Sequence, residues 1–311
     1  MRSLNIGIFN DPELPKALGK KGTTSDIAMY NRKVGEEVYT FATPVGYPEK
    51  LAPLFQTIGL SDCAVLCIKE LTPVLGEVAL ALDAFGLERG LLVLDGIDQA
   101  KAAAILKGTV AAGYRAAARD YNAIMEGLKG MEPRKGAALK IPVDHSFDVR
   151  GVGTVVLGVV RGGRVRTHDE LLLLPAGKEI VVKSIQMQDE TVEEAGTGDR
   201  VGLAVKGATV EELRRGAILV AKETGVRSSR DLALELRPNS YFKEPLKVGQ
   251  KVLLGIGLQY EPAQVEGVGG EGTLEVKLRA ERDILYEAGE RAALARPEVK
   301  GLRVVGGGIL R

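Results

Sequence analysis

Val143 to Pro175 reads VDHSFDVRGVGTVVLGVVRGGRVRTHDELLLLP, and Ala195 to Val220 reads AGTGDRVGLAVKGATVEELRRGAILV. Between Gly151, Gly153 and Gly158 the chain is almost entirely β-branched, which suits a strand that another backbone or a ligand approaches closely. Gly162-Gly163 predicts a tight hairpin turn into Arg164-Val165-Arg166. Glu170 to Pro175 reads as a further strand ended by proline, and Glu179 to Gln188 alternates as a half-buried one. Arg200 to Gly207 and Ala217 to Val220 add two more, separated by a helical turn over Glu211 to Gly216. So many short strands in so short a span predict a small closed barrel.

Two phrases in this region carry a family resemblance. Phe147 to Gly158 is FDVRGVGTVVLG, and Gly198 to Gly207, GDRVGLAVKG, is followed at Glu211 by EELRRG. In this order and spacing they resemble the second domain of translational GTPases of the elongation factor Tu type, and among these the selenocysteine-specific SelB branch. The resemblance implies an RNA-binding pocket in this barrel. Glu194 and Arg200 match the family's acidic residue and asparagine that face the terminal adenosine and aminoacyl group, and Asp148 and Arg150 are expected at the same mouth. An arginine in place of asparagine adds a planar fork able to read an anionic group. On this reading Arg200 is a rim residue whose loss leaves the fold nearly unchanged, although a strand-end pair with Asp199 or Glu194 accounts for it equally well.

The rest of the chain fits a multidomain protein. Its 311 residues exceed one typical core and predict two or three domains. No apolar run reaches the length of a membrane span, and the Met-Arg-Ser-Leu start has no signal-peptide core, so a cytoplasmic protein with no membrane partner is expected. The formal charge of +1 is spread evenly along the chain. That balance argues against DNA or RNA held by bulk electrostatics and leaves a local pocket as the route to RNA. Cys63 and Cys67 fall on one face of an apolar strand and read as buried thiols, since a metal site would need more ligands than His145 and His168 and their surroundings offer.

Residues 223–311 read as a second all-β unit, with strands in Leu232 to Pro238, Lys251 to Val268, Glu271 to Gly289 and Leu302 to Leu310. Arg279 to Pro297 has helical composition, but Gly289 favours a strand pair with a polar loop. The closing phrase Arg303 to Leu310, RVVGGGIL, resembles the third domain of the same factors. SelB proteins carry a further C-terminal domain, and on this reading the chain is expected to lack it.

Residues 1–130 alternate buried strands (Leu4 to Phe9, Val38 to Thr43, Cys63 to Lys69, Gly90 to Asp95) with helical stretches such as Pro73 to Gly86. This pattern predicts an α/β unit with a parallel sheet, in the position of a GTPase domain. A phosphate loop needs G-x-x-x-x-G-K-(S/T) directly after the first strand. Here Asn10 to Ala17 reads NDPELPKA: both glycines are gone, Pro12 and Pro15 remove N–H donors, Asp11 and Glu13 share the sign of a phosphate, Ala17 offers no oxygen to Mg²⁺, and Lys16 alone survives. Gly19 to Thr24, GKKGTT, has suitable residue types in the wrong order and reads as a solvated basic turn. The family's D-A-P-G-H step becomes Ala42 to Tyr47, ATPVGY, keeping Gly46 but neither the metal-holding aspartate nor the water-orienting histidine. The guanine-reading motif becomes Asp95 to Asp98, DGID, with only Asp98 retained.

The chain is thus similar to archaeal SelB-like paralogues whose nucleotide motifs are degraded, with an α/β domain over 1–130, a domain 2-like barrel over 136–222 and a domain 3-like barrel over 223–311. The expectation is a non-catalytic factor that binds tRNA or another structured RNA, with the ribosome as a further partner and with neither GTP nor Mg²⁺ as cofactor. Lys16, Gly46 and Asp98 would be vestigial. An elongation factor still using GTP through unconventional loops, and a scaffold that docks a protein or the ribosome, stay open as alternatives.

Overall fold

The structure, a computed structural model, describes residues 2–296 and 301–311. Domain 1 begins with β1 (Arg2–Phe9), α1 (Leu14–Leu18), β2 (Lys20–Thr24), β3 (Ile27–Val34) and β4 (Glu37–Pro44). It continues through α2 (Ala52–Leu60), β5 (Cys63–Ile68), α3 (Pro73–Ala84), β6 (Gly90–Leu94), α4 (Gln99–Leu106), β7 (Arg115–Ala117) and α5 (Tyr121–Leu128). The sheet order is β2-β3-β4-β1-β5-β6-β7. From β4 to β7 it is parallel, because β4, β5 and β6 each feed a helix that returns the chain to the next parallel strand. β1 and β5 are buried over nearly their whole length, which is why they read as unbroken apolar runs. Cys63 and Cys67, both on β5, belong to one core cluster and are fully buried.

Three strands of this sheet are not apparent from the apolar pattern. Lys20 to Thr24, expected as a solvated turn, is the edge strand β2, paired antiparallel with β3. β2 has no buried residue and β3 loses its apolar pattern after Tyr30, so periodicity gives little sign of either. β7 has only three residues.

The second domain is a barrel of β8 (Lys140–Val149), β9 (Gly153–Val159), β10 (Arg164–Arg166), β11 (Glu170–Leu174) and β12 (Lys178–Met187), followed by β13 (Glu190–Val192), β14 (Glu194–Gly196), β15 (Arg200–Lys206) and β16 (Ile218–Val220). The order β11-β16-β8-β9-β15-β12 closes through a β11–β12 pairing. The expected hairpin at Gly162-Gly163 does not form. β10 pairs with β14, and Gly162 packs against the interdomain linker at Gly136.

The third domain is a closed barrel, in the order β17-β20-β19-β18-β21-β22. Its strands are β17 (Arg227–Pro238), β18 (Lys251–Ile256), β19 (Gln259–Gly269), β20 (Leu274–Tyr286), β21 (Arg291–Ala295) and β22 (Val304–Leu310). Arg279 to Pro297 holds two strands and no helix, but they are not the expected pair: β20 lies between β17 and β19, β21 lies between β18 and β22, and Pro297 itself is outside the described residues.

The three domains share apolar surface. Ile27, Met29, Ala42 and Leu60 of domain 1 form one buried cluster with Val159 of the second domain and Leu258 of the third. Domain 1 meets the second domain where Asn5 donates to the Gly198 carbonyl at 2.9 Å and Ser3 donates to Asp199 at 2.5 Å. Gly198 has φ +94°, and a Cβ there would sit 2.6 Å from the Ser3 carbonyl oxygen, so glycine is required on both counts.

Candidate functional site

In an open α/β sheet, ligands bind beyond the carboxyl ends of the strands. In this chain those ends are tied to one another. After β1, Asn10 takes φ +64° and turns Asp11 inward, where its side chain is fully buried. One Asp11 oxygen accepts the backbone N–H groups of Glu13 and Leu14 at 3.2 Å. The other receives Arg119 at 2.8 Å, from beyond β7, and Lys69 at 3.1 Å, from the end of β5. Asp95, at the end of β6, lies 3.7 Å from Arg119. Burial alone would raise the Asp11 carboxyl, but Arg119 and Lys69 outweigh it and hold the group below the ordinary carboxylate range. A carboxylate of the chain thus occupies the cations found where a phosphate loop follows its strand.

The vestigial residues do not converge on this point. Lys16 projects into solvent from α1 and pairs with Glu13 at 2.6 Å. Gly46 forms an exposed turn at φ +79°. Asp98 caps α4, its side chain accepting the Lys101 N–H at 3.1 Å. Tyr47, in the place of the water-orienting histidine, points to domain 3: its hydroxyl donates to Glu77 at 3.1 Å, and Glu77 pairs with Arg303 at 2.5 Å.

The four residues expected at one RNA mouth are also separated. Asp148 and Arg150 lie at the tip of the β8–β9 hairpin, where Asp148 accepts from Thr154 at 2.9 Å. Arg200 faces Val159 at the other end of β9, five residues on, or roughly 16 Å along a strand. Glu194 lies on β14, accepting from Arg164 and from Arg166 at 2.6 Å.

Arg200 pairs with neither Asp199 nor Glu194. Its guanidinium is 11% exposed and donates to the fully buried Asp144 at 3.0 Å. Burial pushes the Asp144 carboxyl up, while Arg200 and a hydrogen bond from His145 at 2.8 Å bring it below the ordinary range. Arg200 Nε and Asp144 Oδ2 are both buried without a hydrogen-bond partner. The arginine expected at the rim is therefore half of a buried ion pair. Alternation gives no sign of this, because Lys140 to Asp144 are all buried and Asp144 itself sits in the β8 irregularity between Val143 and His145.

Arg200 nevertheless borders a cleft of about 390 Å³ between domains 1 and 2. Lys20, Lys21 and Asn31 form one wall, from β2 and β3, and Gln186, Gln188 and Arg200 form the other. Gln188 and Asp189, at φ +50° and +66°, make the two-residue turn between β12 and β13 at its edge. Lys20 and Lys21 are exposed and form no ion pair among the described residues, and Asp189 is the carboxylate facing them. The cleft therefore offers unmatched positive charge beside amide donors and acceptors. No group of residues able to hold a metal ion occurs among the described residues, and no helix there is long and apolar enough to cross a membrane.

Comparison with known proteins places this geometry in context. The model of elongation factor Tu domain 2 matches residues 153–220. An uncharacterised protein of Methanocaldococcus jannaschii is 36% identical over 314 residues, covering 100% of both chains. The selenocysteine-specific elongation factor of the same organism is 40% identical over 127 residues, 41% of this chain and 27% of that protein. Among solved structures, elongation factor SelB of Methanococcus maripaludis in complex with the GTP analogue GppNHp superposes with a TM-score of 0.86 at 25% identity, over 100% of this chain and 79% of that one.

Proposed function

Because the chain belongs to the SelB-like branch of the elongation factor Tu family, we propose that it is a translation factor-like protein that holds the end of an RNA, foremost a tRNA acceptor end, without hydrolysing GTP. The observation that carries this reading is the cleft between β2 and β15, where Lys20 and Lys21 form no ion pair among the described residues. A single-stranded RNA terminus presents phosphates, ribose hydroxyls and unstacked base edges. The lysines suit the phosphates, and the amides of Asn31, Gln186 and Gln188 suit hydroxyls and base edges. Arg200, neutralised by Asp144 and with its Nε–H buried, borders the cleft without offering it a free charge.

The second half of the proposal rests on the strand ends of domain 1. Asp11 repels a phosphate and already engages both cations there, and neither Asn10 nor Ala17 restores a phosphate cradle. Domain 1 then serves as a wall of the RNA cleft through β2.

The test compares a minihelix bearing an intact single-stranded 3′ end with the same duplex lacking that end, at two salt concentrations. Preferential, salt-dependent binding of the intact end is expected. Equal binding of both RNAs would leave the barrels as a docking surface for a protein or the ribosome.

A further inference from the structure

α2 follows the turn from Ala42 to Tyr47 and is apolar on nearly every side, with Leu54, Phe55, Ile58 and Leu60 all buried. A helix with so little polar surface must be covered all round, and here three domains cover it. The Phe55 ring meets Phe85 of domain 1 and Tyr260 of domain 3 edge-on, at 5.2 and 5.6 Å. The Gln56 amide donates to the Leu258 carbonyl in domain 3 at 3.1 Å and accepts from Arg215 in domain 2 at 3.0 Å. Arg215 also reaches Asp26 at 2.6 Å.

The C-terminal turn of α2 is held as firmly. Its last carbonyls carry the negative end of the helix dipole. Arg134 of the linker donates to Ile58 at 3.3 Å, and Arg161 of domain 2 donates to Gly59 at 3.2 Å. Asp62, just beyond, accepts Arg161 at 2.7 Å. Gly59 lies against Gly257 of domain 3 so closely that a Cβ would stand 1.9 Å from the Gly257 oxygen.

We propose that α2 is a fixed hub that holds the three domains in one arrangement with no nucleotide bound. In a switching factor, contacts to a γ-phosphate and its Mg²⁺ order the segment that couples the domains. In this chain permanent side-chain contacts do so, from Arg134, Arg161, Arg215 and Gln56 around α2, with the Tyr47–Glu77–Arg303 chain tying the preceding turn to domain 3. The proposal rests on the reading of domain 1 as a unit that does not cycle with GTP.

Spin labels test it on the full chain. Cys63 and Cys67 are fully buried, so cysteines introduced by Lys101→Cys in domain 1 and Glu271→Cys in domain 3, both exposed positions, take the labels. Pulsed dipolar spectroscopy should give one narrow separation, unchanged by millimolar GTP or GDP with Mg²⁺. Gly59→Ala should broaden or shift that separation, because its methyl group has no room against Gly257. Gly76→Ala, a helical glycine with nothing within 4 Å of its Cβ position, should leave it unchanged. Should Gly59→Ala not fold, Gln56→Leu removes one tie to each barrel, the bonds to Leu258 and Arg215, and is expected to broaden the distribution. Two populations in the parent, or a separation that moves with nucleotide, would overturn the hub. Saturable nucleotide binding without movement would support the hub and retire the nucleotide-free reading of domain 1.

Discussion

Two charged regions of domain 1 have opposite fates. At the strand ends, Lys69 and Arg119 are drawn onto the buried Asp11, whose carboxylate offsets their charge. At the β2 edge, Lys20 and Lys21 face a cleft and form no ion pair among the described residues. The strand ends hold the position of a nucleotide site and the β2 edge does not, yet only the β2 edge retains unsatisfied charge. Position in a fold marks where a ligand could sit, whereas uncompensated charge marks where one still can.

The comparison sharpens first at Arg200, which borders the cleft yet belongs to the buried side. Arg200→Ala removes the guanidinium that pairs with the buried Asp144 and leaves it only His145, so it should lower unfolding free energy by about 3 kcal/mol in urea denaturation. Adding Asp144→Asn to it should recover a good part of that loss. An Arg200→Ala protein as stable as the parent would restore the rim-residue reading.

Asp11→Asn should cost about 1–2 kcal/mol, the lower range reflecting the partial exposure and screening of Lys69 and Arg119. The Asp11 carboxyl is depressed on folding, so its contribution is complete above the unfolded value near pH ~4 and fades as pH falls through the folded value. The stability gap between parent and variant should therefore be constant from neutral pH to about pH 5 and close below about pH 4. A gap that persists at low pH would mean that the carboxylate charge is not what Lys69 and Arg119 hold.

On the open side, Lys20→Gln with Lys21→Gln should weaken binding of the intact-ended minihelix by about tenfold, or ~1.4 kcal/mol. The salt slope for a single strand should fall by about 1.4, or ~0.7 for each phosphate that a lysine no longer neutralises. Melting of the protein should be unaffected. Smallest of all, Lys16→Ala should leave the urea denaturation midpoint unchanged, since its pair with Glu13 is solvated.

The architecture was largely legible, for reasons that differ along the chain. The glycine-punctuated β-branched runs from Phe147 to Gly158 and from Gly198 to Gly207 announced β9 and β15, because both strands bury a face in one small barrel. β2 was not legible: an edge strand packed on nothing apolar needs no period-two pattern, and its lysines read equally well as a turn. The missing nucleotide motifs were plain, since each requires a specific residue at a specific place. What replaced them was not, because Asp11, Lys69 and Arg119 are brought together only by the parallel order of β1, β5, β6 and β7. The expected pocket failed in the same way. Asp148, Arg150, Glu194 and Arg200 follow the family's phrase order, but strand length separates the first two from Arg200, and Asp144, its partner, stands 56 residues away in the chain.

The most direct test of the account is calorimetric titration of the full chain with GTP and Mg²⁺, beside the same titration of Asp11→Asn. With the strand-end cations held by Asp11, no saturable heat is expected from the parent at micromolar to millimolar nucleotide. Saturable GTP binding by the parent with a dissociation constant in the micromolar range or tighter would contradict it.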